Sequence, residues 1–319
     1  MSKPFASSAD LAAKTETLEV LADGVYALTA EGDPNVGAIE GEDFLVAFEA
    51  RATPVAARDW IDKLREHTDK PFRYLVLSHY HAVRVLGASA FDAGEIIAHE
   101  RTRLLIAERG KQDWDSEYGR MPRLFKVPDS IPGLTWPTLT FSDRMVIPLG
   151  GDRGDLVLQY CGRGHTEGDI VAWLPKHKIL YAGDLVEAKA ALYTGDAFHQ
   201  EWSSGTLDAV QAMRAEVLVG GRGAVAQGVA QVDAAIEQSR GFLTRMLDGV
   251  RRTQAGGGSL KDAFETVHAD LSPTYGHWPI FEHTLPFDVA RVWEELHGVE
   301  RPTIWTAERD REIWAQLQG

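Results

Sequence analysis

The sequence predicts an α/β layered fold. Two observations carry this: short β-rich apolar runs interleave with segments of helical period in both halves of the chain, and Gly, Pro and Asn punctuate the runs where turns are needed. The length, 319 residues, exceeds that of a usual single domain and suggests one main domain with an appendage. Residues 1–17 read as an N-terminal segment and 18–230 as the main domain. Residues 231–319 read as a helical, aromatic-rich extension packed on that domain or on a partner subunit, so a homodimer is a reasonable expectation.

Leu18 to Glu49 reads as strand, turn, strand: Val25 to Thr29, a loop from Gly32 to Gly37, then Ala38-Ile39 and Phe44 to Phe48. Pro54 to His67 is amphipathic, with Val55, Trp60, Ile61 and Leu64 on one face and Pro54 in its first turn, which predicts a helix. Tyr74 to Leu77 is a continuous apolar run, the mark of a buried strand. Helices are predicted near Val85 to Phe91 and over Glu100 to Arg109, with a strand at Ile96-Ile97 between them. Asp113 to Pro132 is charged, holds Trp114 and Tyr118, and reads as an irregular flap or interface loop. Strands recur at Thr138 to Phe141, Arg144 to Ile147, Leu156 to Tyr160, Ile170 to Leu174, Ile179 to Tyr181 and Val217 to Val219, with a helix around Leu207 to Met213. Val232 to Thr253 predicts one long helix, broken by Gly256-Gly-Gly258, and Leu260 to His268 a further one. The aromatic tail then ends in another helix.

Composition excludes some functions. A net charge of -14 argues against a broad basic surface for nucleic acid or an anionic membrane, and Arg245 to Arg252 reads as a solvated helix face. No apolar window approaches the length of a membrane span, and Met1 to Ala13 lacks the apolar core of an export signal. The single cysteine, Cys161, excludes an internal disulfide and fits a reducing, cytoplasmic compartment. The expected partner is a small-molecule substrate.

Three strand ends carry chemistry. His79-Tyr80-His81 follows the Tyr74 run, where alternate side chains point the same way and two imidazoles can converge on one ion. Gly162-Arg-Gly-His165-Thr-Glu-Gly-Asp169 is a glycine-rich turn after a strand, which lets the backbone bring one histidine close. Leu180-Tyr-Ala-Gly183-Asp184 is again an apolar strand ending in a carboxylate. Imidazole and carboxylate suit zinc, iron or manganese, and three protein ligands with an open position is the layout of a catalytic zinc.

In that order, these motifs resemble the metallo-β-lactamase superfamily, and Asn35-Val-Gly37 with its flanking strands resembles that family's opening. The similarity covers about Val20 to Gly223. The resemblance implies an αββα sandwich with a metal pocket along one edge of its two sheets, held by His79, His81, His165 and Asp184. The family's His-x-His-x-Asp-His reads here His79-Tyr-His81-Ala-Val83-Arg84, and its late Gly-His-Gly reads Gly221-Arg222-Gly223. Every ligand unique to the family's second metal site is therefore replaced. Arginine donates only and does not ligate, but two guanidiniums can stand in for a cation and hold Asp184 or an anionic substrate.

Three functional readings remain open. The first is a single-metal hydrolase using one zinc ion, in which Arg84 or Arg222 steadies the oxyanion formed from an ester, lactone, amide or thioester, with Asp184 beside it. The second is a mononuclear iron oxygenase on His79, His165 and Asp184. The third is a metal-free binding protein in which Arg84 pairs with Asp184 and closes the pocket. His99, Tyr80 and His277 are candidate substrate contacts, with Trp278, Glu282 and His283 beside His277 at the mouth. Asp169 is a candidate brace behind His165.

Overall fold

The computed structural model describes residues 4–318. Two β-sheets form its centre. The first runs β1 (Thr17–Ala22), β2 (Val25–Ala30), β3 (Asp33–Glu40), β4 (Leu45–Phe48), β5 (Phe72–Val76), β6 (Glu95–His99) and β7 (Leu139–Phe141), in sequence order across the sheet. It is antiparallel through β4 and parallel from β4 to β7. The second sheet has the order β13-β12-β11-β10-β9-β8, from β8 (Arg144–Pro148), β9 (Asp155–Tyr160), β10 (Ile170–Leu174), β11 (Ile179–Gly183), β12 (Val217–Gly220) and β13 (Ala226–Gln227). Its one parallel pair is β11 with β12.

Both faces of the central strands are buried, which explains why they read as continuous apolar runs rather than alternating ones. On β2 to β5, Val25, Ala27, Val46, Phe48 and Val76 face the opposite sheet, where they meet Leu158, Ile170, Ala172 and Tyr181. Their neighbours Tyr26, Leu28, Leu45, Ala47 and Leu75 face outward and are covered by Trp60 and Leu64 of α1 (Pro54–Leu64). On the second sheet, Leu180, Ala182 and Leu218 face outward beneath the helical extension. The layers therefore run helix, sheet, sheet, helix. At Gly37 the sheets come so close that a Cβ would lie 2.3 Å from the Tyr181 ring. The Tyr181 hydroxyl donates across this contact to the Tyr26 carbonyl at 2.8 Å.

Local signals set the helix starts. Thr53 caps α1 by accepting from the Ala56 N–H at 3.1 Å, and Ser259 with Asp262 forms a reciprocal capping box on α7 (Leu260–Tyr275). After α4 (His199–Glu201) and α5 (Leu207–Ala212), the extension comprises α6 (Val229–Ala255), α7, α8 (Phe281–Leu296) and α9 (Ala307–Gln318). No helix among the described residues is long and apolar enough to cross a membrane.

Three expectations need correction. The Gly32 to Gly37 loop is instead mostly strand: β3 starts at Asp33, leaving Glu31-Gly32 as the turn, because Asn35 is fixed by backbone pairing to Gly221. The helix from Glu100 does not stop at Arg109 but continues to Arg120 as α3 (Glu100–Arg120), so the first part of the expected flap is helical. This helix escapes an apolar-period reading because its buried face is polar, carrying Arg109, Asp113, Ser116, Glu117 and Arg120. The helix expected near Val85 to Phe91 is a single turn, α2 (Ala82–Val85), followed by a 3-10 turn at Ala88–Ala90.

Candidate metal centre

The carboxyl ends of β5, β9, β11 and β12 meet at one edge of the sandwich. β5 runs into His79 and His81, the β9–β10 turn delivers His165, and β11 ends at Gly183 just before Asp184. β12 leads into Arg222, while α2 supplies Arg84. All six side chains are buried.

The three imidazoles sit edge to face, with ring centroids 4.6 to 4.8 Å apart. Their ligand-capable atoms lie within 4.8 Å of one another. His165 Nε2 is 3.0 Å from His81 Nδ1, and His79 Nε2 is buried with no hydrogen-bond partner. The outward nitrogen of each ring is engaged. His79 Nδ1 meets the Ser78 hydroxyl at 2.8 Å, and that hydroxyl donates to Glu49. His165 Nδ1 meets the Tyr193 carbonyl at 2.8 Å, and His81 Nε2 meets Asp196 Oδ2 at 3.1 Å. Three inward nitrogens, one of them orphaned, backed by three outward partners is the arrangement a metal ion asks of histidine ligands. The residues present fit one such ion.

Electrostatics favour neutral imidazoles at two of the positions. Burial pushes the His79 pKa well below its usual value and the His165 pKa down to about 3, with Asp184 opposing both shifts. His81 is different: burial lowers its pKa, but Asp113 and Asp196 more than reverse this and raise it to about 9. The Glu49 carboxyl is pushed up to about 8 by burial, against the pull of Arg84, so it holds its proton at neutral pH.

Asp184 lies between the histidines and the arginines. Its Oδ2 is 3.7 Å from His79 Nε2 and 3.6 Å from His165 Nε2. Arg84 binds its Oδ1, and Arg222 Nη1 reaches its Oδ2 at 3.3 Å. Burial opposes ionisation of Asp184, yet Arg84, His79 and Arg222 hold its pKa well below the usual carboxylate range. Arg84 also donates to the carbonyls of Asn35 at 3.1 Å and Gly221 at 2.8 Å, and Arg222 to Glu187 at 3.0 Å.

Other expected residues fall elsewhere. Both nitrogens and one face of His99 are engaged away from the histidine cluster: its ring stacks on Tyr160 at 4.3 Å, Nε2 meets the Ser142 carbonyl at 2.9 Å, and Nδ1 accepts from the Arg101 N–H as the cap of α3. The buried Tyr80 donates to Asp196 at 2.8 Å and so supports His81 rather than substrate. His277 is exposed and lines no part of the site. Asp169 accepts from Thr166 N–H at 2.6 Å and from its hydroxyl at 2.9 Å, which fixes the turn, whereas the His165 ring takes its partner from Tyr193. A groove of about 260 Å³ is lined by Asp33, Arg123, Trp278 and His283. The Nδ1 of His283 is buried without a partner, and the ring lies within electrostatic reach of Arg120 and Arg222.

The sequence pattern of the metallo-beta-lactamase superfamily matches residues 31–222, more than half of the chain and all of these strand ends. The chain belongs to this superfamily. Type 2 metallo-beta-lactamases of Bacillus sp. (strain 170) and Bacillus cereus are similar to it, at 28% identity over 150 residues and 27% over 172. These alignments take in 46% and 50% of this chain and only 49% and 58% of the two relatives. Among solved structures, the inverting sec-alkylsulfatase Pisa1 from Pseudomonas sp. superposes with a TM-score of 0.69 at 16% identity, over 89% of this chain and 50% of that one. A metallo-beta-lactamase from Pontibacter korlensis superposes with a TM-score of 0.55 at 18% identity, over 70% and 99%. Both share the fold.

This superfamily member carries residues around its histidine cluster that a motif reading missed. They sit on the segment between β11 and α4 (His199–Glu201), which supplies Tyr193 and Asp196, and on α8 and the stretch after it. Asp288 accepts from the Thr194 N–H at 2.6 Å, Arg291 Nε donates to the Ala197 carbonyl at 2.8 Å, and Glu295 accepts from the His199 N–H at 2.9 Å. Trp305 Nε1 donates to the Gly195 carbonyl at 2.8 Å. The signal was present in the sequence, since Asp288, Arg291 and Glu295 recur at helical spacing between the apolar residues Phe287, Val289, Val292 and Trp293.

One consequence is a dependence on acid. Burial raises the Glu295 pKa, but the His199 side chain and the backbone N–H groups of Gln200 and His199 lower it further, to about 2, from an unfolded value near 4.5. A depressed folded pKa gives stability that is present above about 4.5 and lost as pH falls toward 2, worth up to roughly 3 kcal/mol. Chemical denaturation from pH 7 to 3 is expected to show a shallower decline for Glu295→Gln than for the unaltered chain. Parallel declines would remove this carboxylate from the acid response.

Proposed function

We propose that the chain is a metal-dependent hydrolase with a single-metal site, acting on an ester, lactone, amide or thioester of a small molecule. The observation that carries this reading is the convergence of His79 Nε2, His81 Nδ1 and His165 Nε2, with each ring's other nitrogen engaged. These three residues would hold one zinc ion, which when bound supplies a water with a pKa of about 7 and polarises a carbonyl oxygen. The superfamily's hydrolases support the reaction class.

The chain's own residues do the rest. Arg84 and Arg222, at the sequence positions where the family's motifs carry second-site ligands, neutralise Asp184, whose Oδ2 lies between Arg222 and the Nε2 atoms of His79 and His165. The Nε groups of both arginines are unpartnered, which leaves donors for a developing oxyanion.

A metal-free binding protein is the second reading, favoured by the buried Arg84–Asp184 ion pair and by the near-complete burial of all three histidines. An iron oxygenase has less support, because it needs Asp184 as a ligand with His81 set aside, whereas His81 faces His165 and both Asp184 oxygens face arginines. Elemental analysis separates these readings. About one zinc per chain is expected after purification or reconstitution, with none in His79→Ala or His165→Ala. A reconstituted chain without metal would overturn both metal-enzyme readings, and one iron per chain in place of zinc would overturn the zinc assignment.

A further inference from the structure

We propose that Asp196 is a positioning residue for His81, and that the C-terminal helix α8 sets metal affinity by clamping the segment that carries Asp196. The inference rests on the single-metal reading above and extends it to Asp196 and to residues of α8 beyond the superfamily match, which ends at residue 222.

A histidine ligand needs its ring orientation fixed and its far nitrogen occupied. For His81 that far nitrogen is Nε2, and the group on it is Asp196 Oδ2 at 3.1 Å. Asp113 Oδ1 lies further away, at 3.9 Å, and Asp113 Oδ2 accepts from the Ala82 N–H at 2.6 Å. Asp196 is itself held at both oxygens. Tyr80 donates to Oδ2 at 2.8 Å and Arg109 to Oδ1 at 3.3 Å. With these donors in place the carboxylate accepts from His81, so Nε2 carries the hydrogen and Nδ1 is presented to the ion. His81, Asp113 and Asp196 are close enough to suggest a separate cation site. Yet the Asp196 oxygens and one Asp113 oxygen already accept from protein donors, so the group serves better as support for the ring.

The backbone around Asp196 makes no regular structure and would not hold a carboxylate by itself. The extension supplies the hold. Along one face of α8, Asp288, Arg291 and Glu295 take Thr194, Ala197 and His199 in turn, while Trp305 takes Gly195. The same segment offers the Tyr193 carbonyl to His165 Nδ1, so two of the three metal-binding rings depend on it. A chain without this clamp would keep its three histidines but lose the supports of His81 and His165 together.

The test is zinc affinity by competition with a chromophoric chelator, with the visible spectrum of the cobalt(II)-substituted protein as a second readout. Loss of such a supporting contact typically weakens metal binding by about 10–100-fold. Asp196→Ala is expected to show that loss, and Asp196→Asn, which retains an acceptor oxygen, a smaller one. Asp288→Ala, which touches no ligand, is expected to weaken zinc and alter the cobalt spectrum as well. Trp60→Phe, in the outer layer of the other sheet, is expected to lower thermal stability and leave affinity unchanged. If Asp196→Ala does not fold, the isosteric Asp196→Asn and Asp288→Ala carry the test. Affinities within twofold of the unaltered chain in these variants would overturn the positioning role while leaving the single-metal reading intact. An unaltered chain that binds no zinc would overturn both.

Discussion

Asp184→Ala is expected to cost the metal-free chain about 3–5 kcal/mol of folding stability, the usual consequence of leaving a buried charge without its partner. Two guanidiniums share this carboxylate, and they are not equally exposed to its loss. Arg222 retains Glu187 at 3.0 Å, whereas Arg84, fully buried, retains only the carbonyls of Asn35 and Gly221. The damage should therefore come mainly through Arg84. The double variant Asp184→Ala with Arg84→Met removes the orphaned charge and is expected to recover more than 1 kcal/mol of the loss, a non-additivity typical of residues in contact. Urea denaturation of the four chains in a mutant cycle measures it. Additive effects would mean that Arg84 finds another counter-charge, and the account of Asp184 as the neutralised centre of the site would fail.

A smaller change should have an effect nearly as large. At Gly221 a Cβ would lie 2.0 Å from Asp184 Oδ1 and 2.9 Å from Arg84 Nη2, inside the ion pair itself. The residue is not in a left-handed conformation, so Gly221→Ala adds no backbone strain and its consequence is steric. Either the carboxylate or the guanidinium must move, and the Gly221 carbonyl that accepts from Arg84 and the Asn35 N–H must shift with it. Overpacking of this kind costs about 1–3 kcal/mol, and the upper half of that range is expected because a buried charge pair is separated as well. Gly205→Ala, where a Cβ meets nothing within 4 Å, serves as the control and should change stability by less than about 0.5 kcal/mol. Equal midpoints for the two variants in thermal unfolding would refute the steric argument.

The parts of this molecule that were legible in its sequence are those with a periodicity or a motif. The apolar runs at Tyr74, Leu156, Ile170 and Ile179 announced the central strands, because a strand buried on both faces leaves no other pattern. His79, His81 and His165 could be brought together because each follows such a run. Three things were less visible. The C-terminal half of α3 turns a charged face inward, and a helix that buries Arg109, Asp113, Glu117 and Arg120 has no apolar stripe to announce it. Asp196 lies in irregular backbone 31 residues after His165, so only the folded chain shows that it meets His81. His99 was a candidate as the end of a strand and His277 as part of an aromatic cluster with embedded polar groups, and the structure gives the first a capping role and leaves the second exposed.

The order in which these parts leave the ribosome follows from the clamp on α8. His79, His81 and His165 all precede the segment from Tyr193 to His199, and Asp288, Arg291, Glu295 and Trp305 come nearly a hundred residues later still. Through most of synthesis the three imidazoles exist without the walls that finally enclose them. Long-range contacts of this kind form late, after the local sheet pairs are in place. An ion taken up by these three imidazoles would therefore find its widest route before α8 and Trp305 have packed onto the segment from Tyr193 to His199.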